Sequence, residues 1–272
     1  MTEWESSKWP TYDGFEALEI ERQDQILRVR IANPSSPMNV VDGRLHRELV
    51  RLFDELKSER TARVVILTGS GDAFSAGGDF EWMREQGPST FQALRREGKQ
   101  IVWNALDVEI PIIAAVNGPA VGLGATLALL CDVVLMAESA TISDPHVRVG
   151  LVAGDGGAVL WPLLLGPIQA KRFLLTGFGM SGREAEKAGL ITECVADGDL
   201  GEAAEKWARR LADGAPLAIS YTKLSVNQLV KQAMTTAFDY STAMEVLTFA
   251  SADHREALDA IKDNRKPQFE GR

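Results

Sequence analysis

The stretch Ile112-Ile113-Ala114-Ala115-Val116-Asn117-Gly118-Pro119-Ala120-Val121-Gly122-Leu123-Gly124 decides the fold. Its unbroken apolar start reads as a buried strand, which Asn117-Gly118-Pro119 closes. The glycines that follow carry the chain through a turn into a helix. Glycine lets backbone N–H groups come close to a ligand, and the first N–H groups of a helix have no partners within it, so this turn is suited to hold an oxyanion. A second apolar segment, Val133 to Ala137, then leads to Asp144-Pro145-His146 and to Gly154-Asp155-Gly156-Gly157.

Outward from this stretch, strand and helix patterns alternate. Leu27, Val29 and Ile31 alternate with Arg28 and Arg30, the period of a half-buried strand. Leu45, Leu49, Leu52, Phe53 and Leu56 make one stripe of a helix that Asp42 is placed to cap. Val64 to Thr68 is a further strand, closed by Gly69-Ser70-Gly71. After a loop from Ala73 to Asp79, a helix is expected from about Thr90 to Asp107, with Phe91, Leu94, Ile101, Val102 and Leu106 inward. Short helices near 157–165, 167–176 and 181–188 and a strand at Ile191–Val195 come next, and from Gly201 the pattern is helical. Such alternation implies crossover units, hence an α/β fold with mainly parallel pairing. The chain is therefore expected to divide into a loose N-terminal arm over 1–15, a core over 16–200 and a helical appendage over 201–272.

Composition narrows the function. With 272 residues, 45% hydrophobic and 25% charged, the chain can build one large core. A net charge of −9 argues against nucleic acid and against anionic membrane, both of which need concentrated basic surface. Cys131 and Cys194 lie in apolar runs without metal-ligand spacing and read as buried free thiols, which suits a reducing cytoplasm. The N-terminus shows no basic segment followed by an apolar one, so no export signal is expected and the location is read as cytoplasmic. Ile110 to Cys131 is uncharged and long enough to span a bilayer, yet its prolines, glycines and Asn117 mark a strand, turn and helix inside a core.

Four motifs in order carry a family likeness: Ala73-Phe74-Ser75-Ala76-Gly77-Gly78-Asp79-Phe80, Asn117 to Gly124, Cys131-Asp132, and Gly154-Asp155-Gly156-Gly157, with Asn264-Arg265-Lys266-Pro267-Gln268-Phe269 as an ending. On these residues the chain resembles the crotonase superfamily, the enoyl-CoA hydratase/isomerase group, from Phe15 to Phe269. The resemblance implies a crotonase (ClpP-like) spiral of ββα units with a C-terminal helical trimerisation region, assembled as a homotrimer or a dimer of trimers. It implies an acyl-CoA thioester substrate whose enolate oxygen is held by the N–H groups of Gly78 and Leu123, with Ala76, Gly77, Gly78, Asp79, Gly122 and Lys266 around the coenzyme A portion. Coenzyme A is then part of the substrate, and neither a metal nor another cofactor is implied.

The chain also departs from the pattern. Hydratases of this family position water with two glutamates, and those positions hold Thr126 and His146 here, so plain hydration is not the expected reaction. His146 can act as a base near neutral pH, and Asp155, nine positions on (155 − 146 = 9), is the carboxylate expected to orient it. This His/Asp pair is similar to that of the β-diketone hydrolase branch, typified by 6-oxocamphor hydrolase, which uses it for retro-Claisen cleavage. His46 and Glu245 match that branch too, whereas Leu123 and the Ala76-Gly77-Gly78-Asp79 loop do not. Asp79, Glu81 and Asp144 read as surface or loop-capping carboxylates. The leading expectation is an acyl-CoA enzyme working through an oxyanion-stabilised enolate, with His146 as base. A β-diketone hydrolase is the alternative, an Asp nucleophile of the 4-halobenzoyl-CoA dehalogenase kind ranks third, and a catalytically idle binding or assembly member is the alternative of a different class.

Overall fold

The computed structural model describes residues 10–272 apart from Pro88. Its large sheet runs β1 (Leu18–Gln23), β2 (Ile26–Ile31), β3 (Val64–Gly69), β4 (Ile112–Val116), β6 (Val133–Ala137) and β9 (Glu193–Val195), in that spatial order. β1 and β2 form an antiparallel hairpin, and the remaining neighbours are parallel. Every residue of β4 and β6 is buried, which is why their sequences are apolar runs without alternation. Asn117 locks the end of β4 to the end of β3: its Oδ1 accepts the Gly69 N–H at 3.0 Å and its Nδ2 donates to Gly71 O at 2.9 Å.

The chain winds as a spiral of ββα turns. Each turn lays a strand in the large sheet, an extended piece in a second layer, and then a helix. β2 is followed by Val41, which bridges to Gly78, and by α1 (Gly43–Leu56). β3 is followed by Ser75, which bridges to Ala120, and by α2 (Phe80–Glu85) and α3 (Phe91–Asp107). β4 leads to β5 (Ala120–Val121) and α4 (Leu123–Leu129), and β6 leads to β7 (Thr141–Ser143), a tight turn over His146–Val149, α5 (Gly157–Leu165) and α6 (Pro167–Leu174). β5, β7 and β8 (Gly179–Ser181) form the second sheet. α4 is buried on all sides, so the opening stretch of sequence is the centre of the molecule. In α1 the expected stripe is buried, and Asp42 accepts the Arg44 and Leu45 N–H groups.

Two expectations are corrected. The last helices are not an appendage throughout. After α7 (Gly182–Ala188), α8 (Leu200–Ala212) packs on the large sheet through Ala204, Ala208 and Ala212, small residues at helical spacing that bring it close. Only then do α9 (Pro216–Phe249) and α10 (Ala252–Lys262) extend the chain, α9 against α3 and α5, α10 against α2 and the 146–149 turn. Of the N-terminal segment expected to be loose, residues 1–9 lie outside the described residues, and the remainder is pinned. Tyr12 Oη donates to Glu59 Oε2 at 2.8 Å, and the Arg51 guanidinium lies 4.2 Å from the Phe15 ring. Among the described residues no helix is long and apolar enough to cross a membrane.

Candidate active site

Two backbone segments meet beneath α9. Ser75 N–H donates to Pro119 O at 3.0 Å and Val121 N–H to Ser75 O at 2.9 Å, while on the other side Val41 N–H donates to Gly77 O at 2.7 Å. These bonds fix the loop around Gly78 yet leave its own donor out. Among the described residues no acceptor is bonded to the Gly78 or the Leu123 N–H. Leu123 is the first residue of α4, where a helix has no internal partner for the N–H. Gly122 before it takes φ +54°, the left-handed region that favours glycine, while its N–H donates to Ser143 O at 2.9 Å. A Cβ on Gly122 would stand 3.3 Å from His146 Cε1, so the histidine ring lies directly over this turn.

His146 opens the tight turn after β7. Its Nδ1 is 2.5 Å from Asp144 Oδ1, and its Nε2 is 3.5 Å from Asp155 Oδ2 and 3.8 Å from Glu245 Oε1. Asp144 is fully buried, so this carboxylate sits behind the ring and fixes a hydrogen on Nδ1. Asp155 Oδ1 accepts the Thr126 hydroxyl at 3.2 Å and the Gly157 N–H at 3.4 Å, which leaves Oδ2 nearest the ring and without a hydrogen-bond partner among the described residues. Glu245 comes down from α9, which Thr242 ties to this loop by donating to Gly154 O at 3.0 Å.

The charges are mutually dependent. Burial acts to lower the His146 pKa, but Asp144, Asp155 and Glu245 outweigh it and hold the imidazole well above its usual value. Burial lifts Glu245 to about 8 and moves Asp155 upward, in each case against the attraction of the ring. The ring is thus biased toward its charged form and the two carboxyls before it toward their protonated forms. Asp144, His146 and Asp155 bring one ligand atom each within 4.8 Å of one another, with the two carboxylates on opposite ring nitrogens.

These groups open onto a cavity of about 450 Å³ whose other walls are mainly apolar, among them Met83, Leu94, Phe238 and Val246. His46 reaches the same wall from α1. Its Nδ1 is 2.9 Å from Glu97 Oε2 on α3, its ring centroid is 5.5 Å from that of Trp82, and the hydrogen bond draws the Glu97 carboxyl below its usual pKa.

The structure thus brings His46, Ala76, Gly77, Gly78, Gly122, Leu123, His146, Asp155 and Glu245 to one cavity. One reading of the sequence is corrected. The carboxylate orienting His146 through Nδ1 is Asp144, not Asp155, which faces the other nitrogen from the cavity side. Asp79 does not line the wall; its Oδ1 caps α2 by accepting the Trp82 N–H at 2.7 Å. Lys266 is exposed and off the wall, which its neighbour Pro267 reaches instead. Asp144 was the residue missed, and its signal was the two-residue spacing Asp144-Pro145-His146 at the end of a strand.

Comparison with known proteins gives the same outline. The enoyl-CoA hydratase/isomerase family pattern matches residues 21–272. A probable enoyl-CoA hydratase of Mycobacterium bovis is 29% identical over 256 residues, covering 94% of this chain and 98% of that protein. The crystal structure of an enoyl-CoA hydratase/isomerase from Mycobacterium paratuberculosis superimposes with a TM-score of 0.87 at 37% identity, covering 91% of this chain and 99% of that one. A β-diketone hydrolase from the cyanobacterium Anabaena, bound to (S)-3-oxocyclohexyl acetic acid, superimposes with a TM-score of 0.80 at 33% identity, covering 92% and 97%.

Proposed function

The chain belongs to the enoyl-CoA hydratase/isomerase family, and on that footing we propose that it moves a proton at the carbon beside the thioester carbonyl of an acyl-CoA. One observation carries the reading: two N–H groups, at Gly78 and Leu123, that have no acceptor among the described residues share a mainly apolar cavity with the His146–Asp155–Glu245 cluster. The thioester oxygen accepts both N–H groups, and as charge develops on it in the enolate each donor is worth about 3 to 4 kcal/mol. In place of His146, the base expected from the sequence, a carboxylate of the Asp155–Glu245 pair takes the proton, while the imidazolium, held by Asp144, balances the charge. The same cluster returns that proton to the enolate or to a neighbouring carbon. With Thr126 and His146 where two glutamates would position water, double-bond isomerisation and proton exchange suit the cluster better than hydration. Coenzyme A enters as part of the substrate, and a step in which the proton leaves and returns needs no redox cofactor.

A panel of saturated, enoyl- and 3-oxoacyl-CoA esters in D2O tests this. Deuterium should enter the α-carbon of at least one ester, with or without double-bond movement. Neither binding nor exchange with any CoA ester would overturn the reading. A second reading, water-driven cleavage of a β-diketone, is favoured by the presence of His46 with His146 and Glu245 on one wall and by the likeness to the Anabaena hydrolase. There water adds to one carbonyl, the carbon-carbon bond breaks, and the leaving enolate is protonated. Cleavage of a free cyclic 1,3-diketone without turnover of CoA esters would move the function to it. Trimeric assembly is proposed as well, supported by exposed apolar Ile168 on α6 and Leu217 and Leu229 on α9, and sedimentation reads it.

A further inference from the structure

We infer that Gly98 sets the length of acyl chain the cavity accepts, an assignment that rests on the acyl-CoA reading above. Gly98 lies inside α3, where glycine destabilises the helix relative to alanine. Nothing in the fold requires it there. Its φ is outside the left-handed region, and among the described residues, its own helix backbone aside, a Cβ added at Gly98 would meet no atom within 4 Å. At Gly43 and Gly78, by contrast, a Cβ would collide with Trp82 Nε1 at 2.9 Å and Met83 Sδ at 2.7 Å. The missing side chain therefore has one physical consequence, an opening in the cavity wall between α3 and α9. Leu94, one helical turn earlier (98 − 94 = 4), lines that opening from α3, and Phe238, Val246 and Phe249 line it from α9.

The two helices cannot close the gap by sliding together, because they are pinned along their length. Phe91 meets Phe249 with ring centroids 6.1 Å apart, and Lys99 pairs with Asp239. Apart from Arg95 on α3, the lining around Gly98 is aliphatic and aromatic, so a chain lying over Gly98 gains by burying methylenes. Gly98 is thus a specificity-determining position for an apolar acyl tail.

The test uses the full chain with Gly98→Ala, Gly98→Leu and Gly98→Phe. Read out is the ratio of kcat/KM for a long straight-chain CoA ester to that for a short one, alongside titration with a dansyl-labelled fatty acid, which needs no turnover. The ratio and the affinity for the labelled acid should fall in the order Ala, Leu, Phe, by at least tenfold at Leu, since a methylene's room in an apolar pocket is worth about 10–200-fold. An unchanged ratio or unchanged probe affinity in folded variants overturns the assignment. If the Phe variant fails to fold, the Ala and Leu variants decide it. If the unaltered protein turns over no CoA ester, the acyl-CoA reading fails by itself, and the titration still reports whether Gly98 bounds the cavity.

Discussion

Replacing Glu245 with Gln tests the charge balance around His146 through stability. Burial, helped by Asp155 and Asp144 and opposed by the ring, lifts this carboxyl from 4.5 to about 8. Between those values the unfolded chain has released a proton that the folded chain still holds. The unfolded state then binds fewer protons, so stability falls as pH rises through this window and levels off above it. A displacement of 3.5 units (8 − 4.5), at 1.36 kcal/mol each, gives about 5 kcal/mol as an upper bound. Glu245 is 12% exposed, so little is lost to solvent screening, and the attraction of the imidazolium is already contained in the value of about 8, so the difference is a few kcal/mol. Gln has the same shape and no proton to release. The melting temperature of Glu245→Gln should therefore rise relative to the unaltered chain from pH 4.5 to 8, by on the order of 10 °C, and the gap should stay constant beyond pH 8. Calorimetric melts at pH 5, 6, 7, 8 and 9 measure it. Parallel curves, or a gap that narrows as pH rises, would refute the reasoning.

Three further outcomes are specific. Leu123→Pro removes one N–H at the first position of α4, where proline is tolerated, so turnover should drop about a hundredfold or more with the circular dichroism unchanged, and near-normal turnover would take that donor out of the mechanism. Asp144→Asn removes the charge behind the ring, so kcat should fall about a hundredfold or more while KM changes little, and the His146 titration followed by NMR should move down; an unmoved titration would end the orienting role. Glu59, its side chain fully buried, is pushed upward by burial but is drawn down to about 2 by Arg22, Thr61, the Ala62 N–H and Tyr12. A depressed carboxyl stabilises above its unfolded pKa of 4.5 and loses that stability as pH falls through 2, at most about 3 kcal/mol, so Glu59→Gln should melt lower at pH 7 and show a flatter acid limb; coincident acid limbs would contradict it.

The parts of the fold legible in the sequence are those whose pattern repeats within one element. β4 and β6 are long apolar runs because both faces are covered, and α1 shows a full stripe from Leu45 to Leu56. β5, β7 and β8 have two or three residues, too few for a period to show, and their existence depends on pairing across the spiral. α8 was misplaced because Ala204, Ala208 and Ala212 declare a packed face without saying what it packs on. In the site, the glycines of the two loops were readable because each answers a local backbone demand. The partner of His146 was not. Asp144 and Asp155 are both within reach of the ring in sequence terms, and which nitrogen each takes is set by how the 146–149 turn rotates the imidazole.

That exchange of places divides the work between the carboxylates. Asp144 is wholly buried, with one oxygen on Nδ1 and the other packed where a Cβ on Gly157 would stand 1.8 Å away, so it holds the ring and takes no part in proton traffic with the cavity. Asp155 and Glu245 face Nε2 from the side where substrate enters. A carboxyl lifted to about 8 both accepts and returns a proton near neutral pH, which one of ordinary acidity does poorly. Crowding three carboxyls around one imidazole weakens the fold as the pH rises, and it is also what gives the cavity side its proton affinity. Enolate formation from a thioester and cleavage of a diketone both require that affinity beside the Gly78 and Leu123 donors, and they differ in whether the group delivered to the carbonyl carbon is water.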